Sequence, residues 1–182
     1  MRRYIITGAP GAGKTTILAA LHDRGYAVVE EAATDVIARE QAAGRDRPSH
    51  DADFIDAITL LQRHRQQQPA PPTATVQVFD RSPICTLALA RYLEQPITPV
   101  LAREVDRVVA AGIYQPRVFL VHLLGFITPT AARRITLAQS IRFERFHQWA
   151  YRDHGFELID VPVGTPEQRA QQVDRYIQSW SE

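Results

Sequence analysis

The chain has 182 residues, 45% hydrophobic and 23% charged, with 21 basic against 20 acidic side chains and a net charge of +1. This is the size and balance of one soluble globular domain, and near-neutrality removes any whole-molecule electrostatic reason to expect nucleic acid or a membrane as partner. A single cysteine, Cys85, excludes an internal disulfide, and no apolar run reaches the length of a membrane span, so a cytoplasmic protein is expected.

In chain order, residues 4–7 read as a short apolar strand, which leaves no room for a secretory signal ahead of it. The strand runs into Gly8-Ala9-Pro10-Gly11-Ala12-Gly13-Lys14-Thr15-Thr16 and then a helical run over 15–24. This satisfies G-x-x-x-x-G-K-[ST], the P-loop pattern, in the strand–turn–helix context it requires. The glycines let bare backbone N–H groups approach phosphate oxygens, and the helix N-terminus behind them adds partial positive charge. Lys14 is expected at the β- and γ-phosphates, the Thr15 hydroxyl at Mg²⁺, and the Thr16 hydroxyl at the α-phosphate. The other 20 basic residues are arginines, and Lys14 is the only lysine. A chain that drifted to arginine everywhere else kept a compact ammonium here.

Gly25 ends the first helix, and 26–29 form a second strand running into Glu30-Glu31. A helix over 33–43 stops at Gly44, 45–50 form a polar loop, and Phe54, Ile58 and Leu61 give 51 to about 65 helical spacing. Pro69, Pro71 and Pro72 make 66–75 irregular. A third strand over 76–79 ends in Asp80-Arg81. Ser82-Pro83 then caps a helix to about 93, and Thr98-Pro99 repeats the device for a helix to 111. The continuous apolar run 118–123 reads as a fourth strand covered on both faces. A loop over 125–132 and a long helix from about 133 or 136 to 154 follow, then a fifth strand over 156–161. After the loop 162–164, Thr165-Pro166-Glu167-Gln168 is a capping box opening the last helix. Strands alternating with helices predict a five-stranded parallel sheet between two helical layers, an α/β/α P-loop NTPase fold in one domain over 1–182.

Ligands of such sheets lie beyond the carboxyl ends of the strands, and that rule selects the candidates. Glu31 and Asp80 both end strands expected to neighbour the P-loop strand. Phosphoryl transfer needs a carboxylate at Mg²⁺ and a group to take the nucleophile's proton. Asp80 is assigned to Mg²⁺ and Glu31 to the base; alternation sends Glu30 to the other face. Arg133 and Arg134 follow the fourth strand, where a mobile segment could close their charge over a transferring phosphoryl group. Arg142 and Arg145 read as solvated helix charges. The six histidines show no ligand spacing, so no zinc site is expected; Phe143, Phe146 and Trp149 read as core, and Cys85 as a small buried residue.

The order of P-loop, Glu31-Ala32-Ala33, Phe79-Asp80-Arg81, arginine lid and a last strand ending Val161-Pro162, together with His154-Gly155-Phe156-Glu157-Leu158, resembles a known group. It is similar to the small single-domain AAA-like ATPases related to nicotinamide riboside kinase and, more distantly, to deoxynucleoside and thymidylate kinases. The resemblance spans nearly the whole chain and implies a nucleoside-kinase-like fold with a lid at about 125–145. It implies that Glu31 is the base, that Asp80 and Arg81 serve Mg²⁺ and substrate, and that Arg133 or Arg134 is the lid arginine. Adenine would lie near 162–165, at Gly164. Two positions depart from the pattern: Thr34 stands where arginine is expected, and Cys85 where many relatives carry aspartate. Both bear on the acceptor.

The leading expectation is therefore an ATP- and Mg²⁺-dependent kinase of a small acceptor, nucleoside or nucleotide among the candidates. The alternative is a slowly hydrolysing nucleotide switch acting through a protein or membrane partner. A preformed acceptor pocket lined by Glu31, Arg81 and residues 39–53 would favour the kinase. An AAA+ motor is not expected, because no separate C-terminal helical domain follows. Without a second lysine there is no Asn/Thr-Lys-x-Asp motif, which argues against a Ras-like GTPase but leaves GTP as a donor through other contacts.

Overall fold

A computed structural model describes residues 1–45, 48–51, 53–125 and 135–180. Five strands form one parallel sheet: β1 (Arg2–Thr7), β2 (Ala27–Val29), β3 (Val76–Asp80), β4 (Arg117–Val121) and β5 (Glu157–Val161). Their order is β2-β3-β1-β4-β5. The described helices are α1 (Lys14–Asp23), α2 (Ala32–Ala42), α3 (Phe54–Gln67), α4 (Pro83–Tyr92), α5 (Pro99–Ala110), α6 (Leu137–Asp153) and α7 (Pro166–Ser179).

Side-chain alternation along β1 and β3 divides the interior in two. Ile5 and Phe79 point into a core shared with α2 to α6. Tyr4, Ile6, Val76 and Val78 point into a second core shared with α1 and α7, where the Phe119 and Trp180 rings stack at 5.6 Å. β3 is wholly buried and β1 is buried from Tyr4 onward, so both strands are covered by helices on both sides. The predicted caps form. Ser82 accepts from the Ile84 N–H, Thr98 from the Leu101 N–H, and Thr165 and Gln168 complete a reciprocal capping box. Thr136 and Gln139 make a second box, which sets the start of α6 at Leu137.

Three expectations are corrected. β2 does not neighbour the P-loop strand, because β3 lies between them and β2 is the sheet edge. β4 ends at Val121, two residues early; the His122 N–H still donates to the Val161 carbonyl, but 122–124 leave the ladder. α3 begins at Phe54 rather than 51, because Pro48–His50 forms a separate 3₁₀ turn in what was read as loop. Among the described residues no helix is long and apolar enough to cross a membrane.

Candidate functional site

The loop between β1 and α1 is shaped by its glycines. Gly8 has φ 138°, and a Cβ there would lie 2.4 Å from the Val121 carbonyl oxygen, so only glycine lets the loop turn against the end of β4. Gly13, at φ 83°, is the α1 N-cap and carries no side-chain cap, which leaves the first N–H groups of the helix for a ligand. Ala9 and Ala12 are buried beneath the loop, Pro10 accepts a hydrogen bond from Ser140 Oγ at 3.1 Å, and Gly11 also takes positive φ. Thr16 Oγ1 donates to the Gly13 carbonyl at 2.8 Å. Lys14 is buried, its Nζ 3.4 Å from the Ala9 carbonyl. Burial, with the neighbouring Arg81 cation, lowers its pKa, and the Asp80 and Glu31 carboxylates oppose that shift only in part.

Asp80 ends β3 opposite Ile6 of β1, so the pairing places its carboxylate beside the loop. Its Oδ1 is buried without a hydrogen-bond partner among the described residues. Burial and the Glu31 charge push its carboxyl up, outweighing Lys14 and Arg81. A buried oxygen left unpartnered is costly unless a ligand satisfies it.

Arg81 follows with φ 74°, a left-handed conformation uncommon for a residue with a side chain. Its N–H donates to the Ile6 carbonyl at 3.0 Å. That turn carries the guanidinium to Glu31, which accepts from Nε in a close ion pair, and to His147, whose Nε2 lies 2.7 Å from Nη1. Glu31, the α2 N-cap residue, also accepts from Thr34 Oγ1 at 2.8 Å. Burial alone would raise the Glu31 carboxyl, but Arg81, Lys14 and the Thr34 hydroxyl bring it down to about 2. The position where an arginine was expected thus supplies a hydroxyl to the same carboxylate. Cys85 is buried, its Sγ 3.1 Å from Thr7 Oγ1 and 3.0 Å from Tyr151 Oη, which in turn meets Ser82 Oγ at 2.9 Å.

Thr15, Glu30, Glu31 and Asp80 line the inner end of a cavity of about 1050 Å³, which runs outward past Val28 and Tyr26 to Pro71. Of the lining that would favour a kinase it has Glu31, but among the described residues neither Arg81 nor any of 39–53 lines it. On the opposite face of β2, a cavity beside Arg81, Gln62 and Tyr114 has about 10 Å³, room for one water. Glu30 lines both spaces.

Arg133 and Arg134 lie outside the described residues, as do 126–132 of the expected lid. Arg142 stacks over Tyr92 and Phe146 on the surface, and Arg145 is exposed, matching their reading as solvated charges. Gly164 packs against the first turn of α7, where a Cβ would meet Gln168 Oε1 at 3.2 Å.

Two residues were not foreseen. Arg169 is buried with no carboxylate partner among the described residues: Nη1 donates to the Ala12 carbonyl and Nη2 to the His122 carbonyl, each at 2.7 Å. It ties the P-loop to the ends of β4 and β5, and burial lowers its pKa. His147 is wholly buried against Arg81. Each is a polar residue on the apolar stripe of its helix, His147 with Phe143 and Ala150, Arg169 with Val173 and Ile177. That misplaced polarity was the signal available in the sequence.

No curated protein matches this sequence. Solved structures do. The chain is similar to a deoxyadenosine kinase from M. mycoides with products dCMP and dCDP bound, at TM-score 0.66 and 14% identity over 97% of this chain and 98% of that one. The same kinase with bound dATP matches at TM-score 0.60 and 14% identity, covering 98% and 100%. Shikimate kinase from Acinetobacter baumannii in complex with shikimate matches at TM-score 0.58 and 13% identity, covering 98% and 94%. At these identities the likeness is one of fold: a five-stranded parallel sheet ordered as in P-loop kinases. Residues 3–169 match the AAA_28 family, described as an AAA domain, and the chain belongs to that family.

Proposed function

We propose that this protein is an ATP- and Mg²⁺-dependent phosphotransferase that phosphorylates a small hydroxyl or phosphate acceptor, with nucleosides and nucleotides first among the candidates. The observation that carries the reading is the gathering of Lys14, Asp80, Glu31 and Arg81, two cations and two carboxylates, around the mouth of the P-loop. The fold it shares with a deoxyadenosine kinase and a shikimate kinase supports it.

In this reading residues 8–16 cradle the phosphates, Lys14 bridges the β- and γ-phosphates, and the base of the nucleotide lies near Gly164. Mg²⁺ fits the donor set: Asp80, with its buried and unpartnered carboxylate oxygen, and Thr15, with its hydroxyl, would hold it. Among the described residues no group of three His, Cys, Asp or Glu could hold a metal. Bound at Asp80 and Thr15, Mg²⁺ would neutralise charge on the β- and γ-oxygens.

An acceptor oxygen attacks the γ-phosphorus, the bond to the β–γ bridging oxygen breaks, and ADP leaves. Glu31 orients the acceptor and receives its proton. Its carboxyl, held near 2 by Arg81 and Lys14, is a weak base. That suffices for a loose transition state in which the nucleophile loses its proton late. Arg81 balances the Glu31 charge, and Arg133 or Arg134 would add charge as the lid closes.

The test is ADP release from ATP–Mg²⁺ and GTP–Mg²⁺ against nucleosides, nucleotides and sugars, with a no-acceptor control and a Lys14→Ala variant. Turnover that rises sharply with one acceptor and vanishes without Lys14 establishes the kinase. Slow hydrolysis indifferent to every acceptor overturns it and points to a switch working through a partner.

A further inference from the structure

His147 does not line the larger cavity, and it is fully enclosed beside Arg81. Its two ring nitrogens meet partners of opposite kind. Nδ1 lies 3.0 Å from the Phe143 carbonyl, one turn back in α6, and a carbonyl can only accept. Nε2 lies 2.7 Å from Arg81 Nη1, and a guanidinium can only donate. One protonation state satisfies both contacts: the neutral ring with its hydrogen on Nδ1 and a lone pair on Nε2. An imidazolium would set an N–H against an N–H of a cation, and the other neutral tautomer would lose both bonds.

The consequence falls on Arg81. Its left-handed backbone turns the side chain inward, and two anchors then fix the guanidinium plane: Glu31 at Nε and His147 at Nη1. A planar fork held at two nitrogens cannot rotate, so Glu31 is held in turn. The helix that carries His147 is itself tied to the phosphate loop by Ser140, two turns earlier, whose hydroxyl donates to the Pro10 carbonyl. From this geometry we infer that His147 is a positioning residue, whose Nδ1–H tautomer holds the Arg81 guanidinium and through it the Glu31 carboxylate in register with the P-loop. The inference rests on the reading of Glu31 and Arg81 as acceptor-side groups for its functional meaning, but its geometric content stands apart from any activity.

The test uses the full chain labelled with ¹⁵N and three variants. His147→Gln keeps an acceptor where Nε2 lies, His147→Asn keeps a polar group only where Nδ1 lies, and His147→Phe keeps neither. Long-range proton–nitrogen spectra read the tautomer, the Arg81 Nε–H resonance reports its bond to Glu31, and a fluorescent ATP analogue reports the P-loop. The expected result is a protonated Nδ1 and bare Nε2 in the unaltered protein. A slowly exchanging Arg81 Nε–H should survive in His147→Gln and be lost in His147→Asn. His147→Phe should behave like Asn or fail to fold, the other two variants deciding the matter either way. Affinity for the analogue should stay within about threefold in folded variants, since the P-loop is left intact. A proton on Nε2, or an unchanged Arg81 Nε–H in His147→Asn, overturns the inference. Failure of the acceptor panel above would instead leave these spectra unaltered and count against the kinase reading alone.

Discussion

The two halves of the candidate site are built from different materials. On the proposed nucleotide side, backbone would do most of the binding: glycines clear space, Gly13 leaves the start of α1 uncapped, and Lys14 and two threonines would add side-chain groups. On the proposed acceptor side, the backbone of the described residues contributes the left-handed turn at Arg81, and the geometry is held by side chains from α2, α6 and the β3–α4 junction. Backbone shape depends on a few local residue types. A side-chain network depends on partners brought together by the whole fold, so the first should be rigid and general, and the second adjustable and selective.

Lys14→Ala should break the nucleotide half most severely. Turnover should fall by about 10³-fold or more, while the melting temperature moves by no more than about 2 °C, because the lost ammonium was buried at a cost. Gly8→Ala attacks the same half through the backbone: a Cβ 2.4 Å from the Val121 carbonyl, at positive φ, should cost about 3 kcal/mol in denaturant unfolding. A stable Gly8→Ala variant with normal nucleotide binding would show that the loop is less constrained than its geometry indicates.

Asp80→Asn tests the boundary between the halves. Mg²⁺-dependent turnover should drop by about 10²-fold, with stability unchanged or raised. The sign follows from the raised carboxyl pKa: ionisation of Asp80 as pH climbs past the ordinary value of 3.8 opposes folding, and asparagine removes that opposition. Loss of stability in this variant would argue for a structural role.

On the acceptor side, Arg81→Gln should let the Glu31 carboxyl rise from about 2 towards its ordinary 4.5, read by carbon NMR titration. Because that pKa is depressed in the folded protein, Glu31 stabilises the fold above pH 4.5, and the contribution is lost as pH falls towards 2. The unaltered protein should lose on the order of 2 kcal/mol across this window from this group, and the variant much less. Thr34→Val should be mildest. Losing one hydroxyl donor to Glu31 should change acceptor turnover by about 1 kcal/mol, less than tenfold, with nucleotide affinity unaltered.

The nucleotide half was legible because its signals are local. G-x-x-x-x-G-K-T spans eight consecutive residues, Gly8 to Thr15, and each acts within that span. Capping at Ser82, Thr98 and Thr165 was legible for the same reason, as was the alternation of strands and helices that specifies a parallel sheet. Glu31 and Asp80 were also found, since the ends of parallel strands share one edge of the sheet.

Sheet order, by contrast, was settled only by packing. β2 went to the edge and β3 took the place beside β1, so Glu31 reaches the site across one strand more than adjacency would require. His147 is 66 residues from Arg81 along the chain, and Arg169 is 157 residues from Ala12. No spacing rule joins such pairs; each sequence signal was a lone polar residue on an apolar helical stripe. The location of the cavity was likewise a tertiary outcome, opening beside the outer strand β2. The sequence by itself determined the P-loop and the α/β architecture, whose codes are written in neighbouring residues. Only the tertiary structure decided which side chains hold Arg81 and Glu31, because those contacts exist only once distant helices have docked on the sheet.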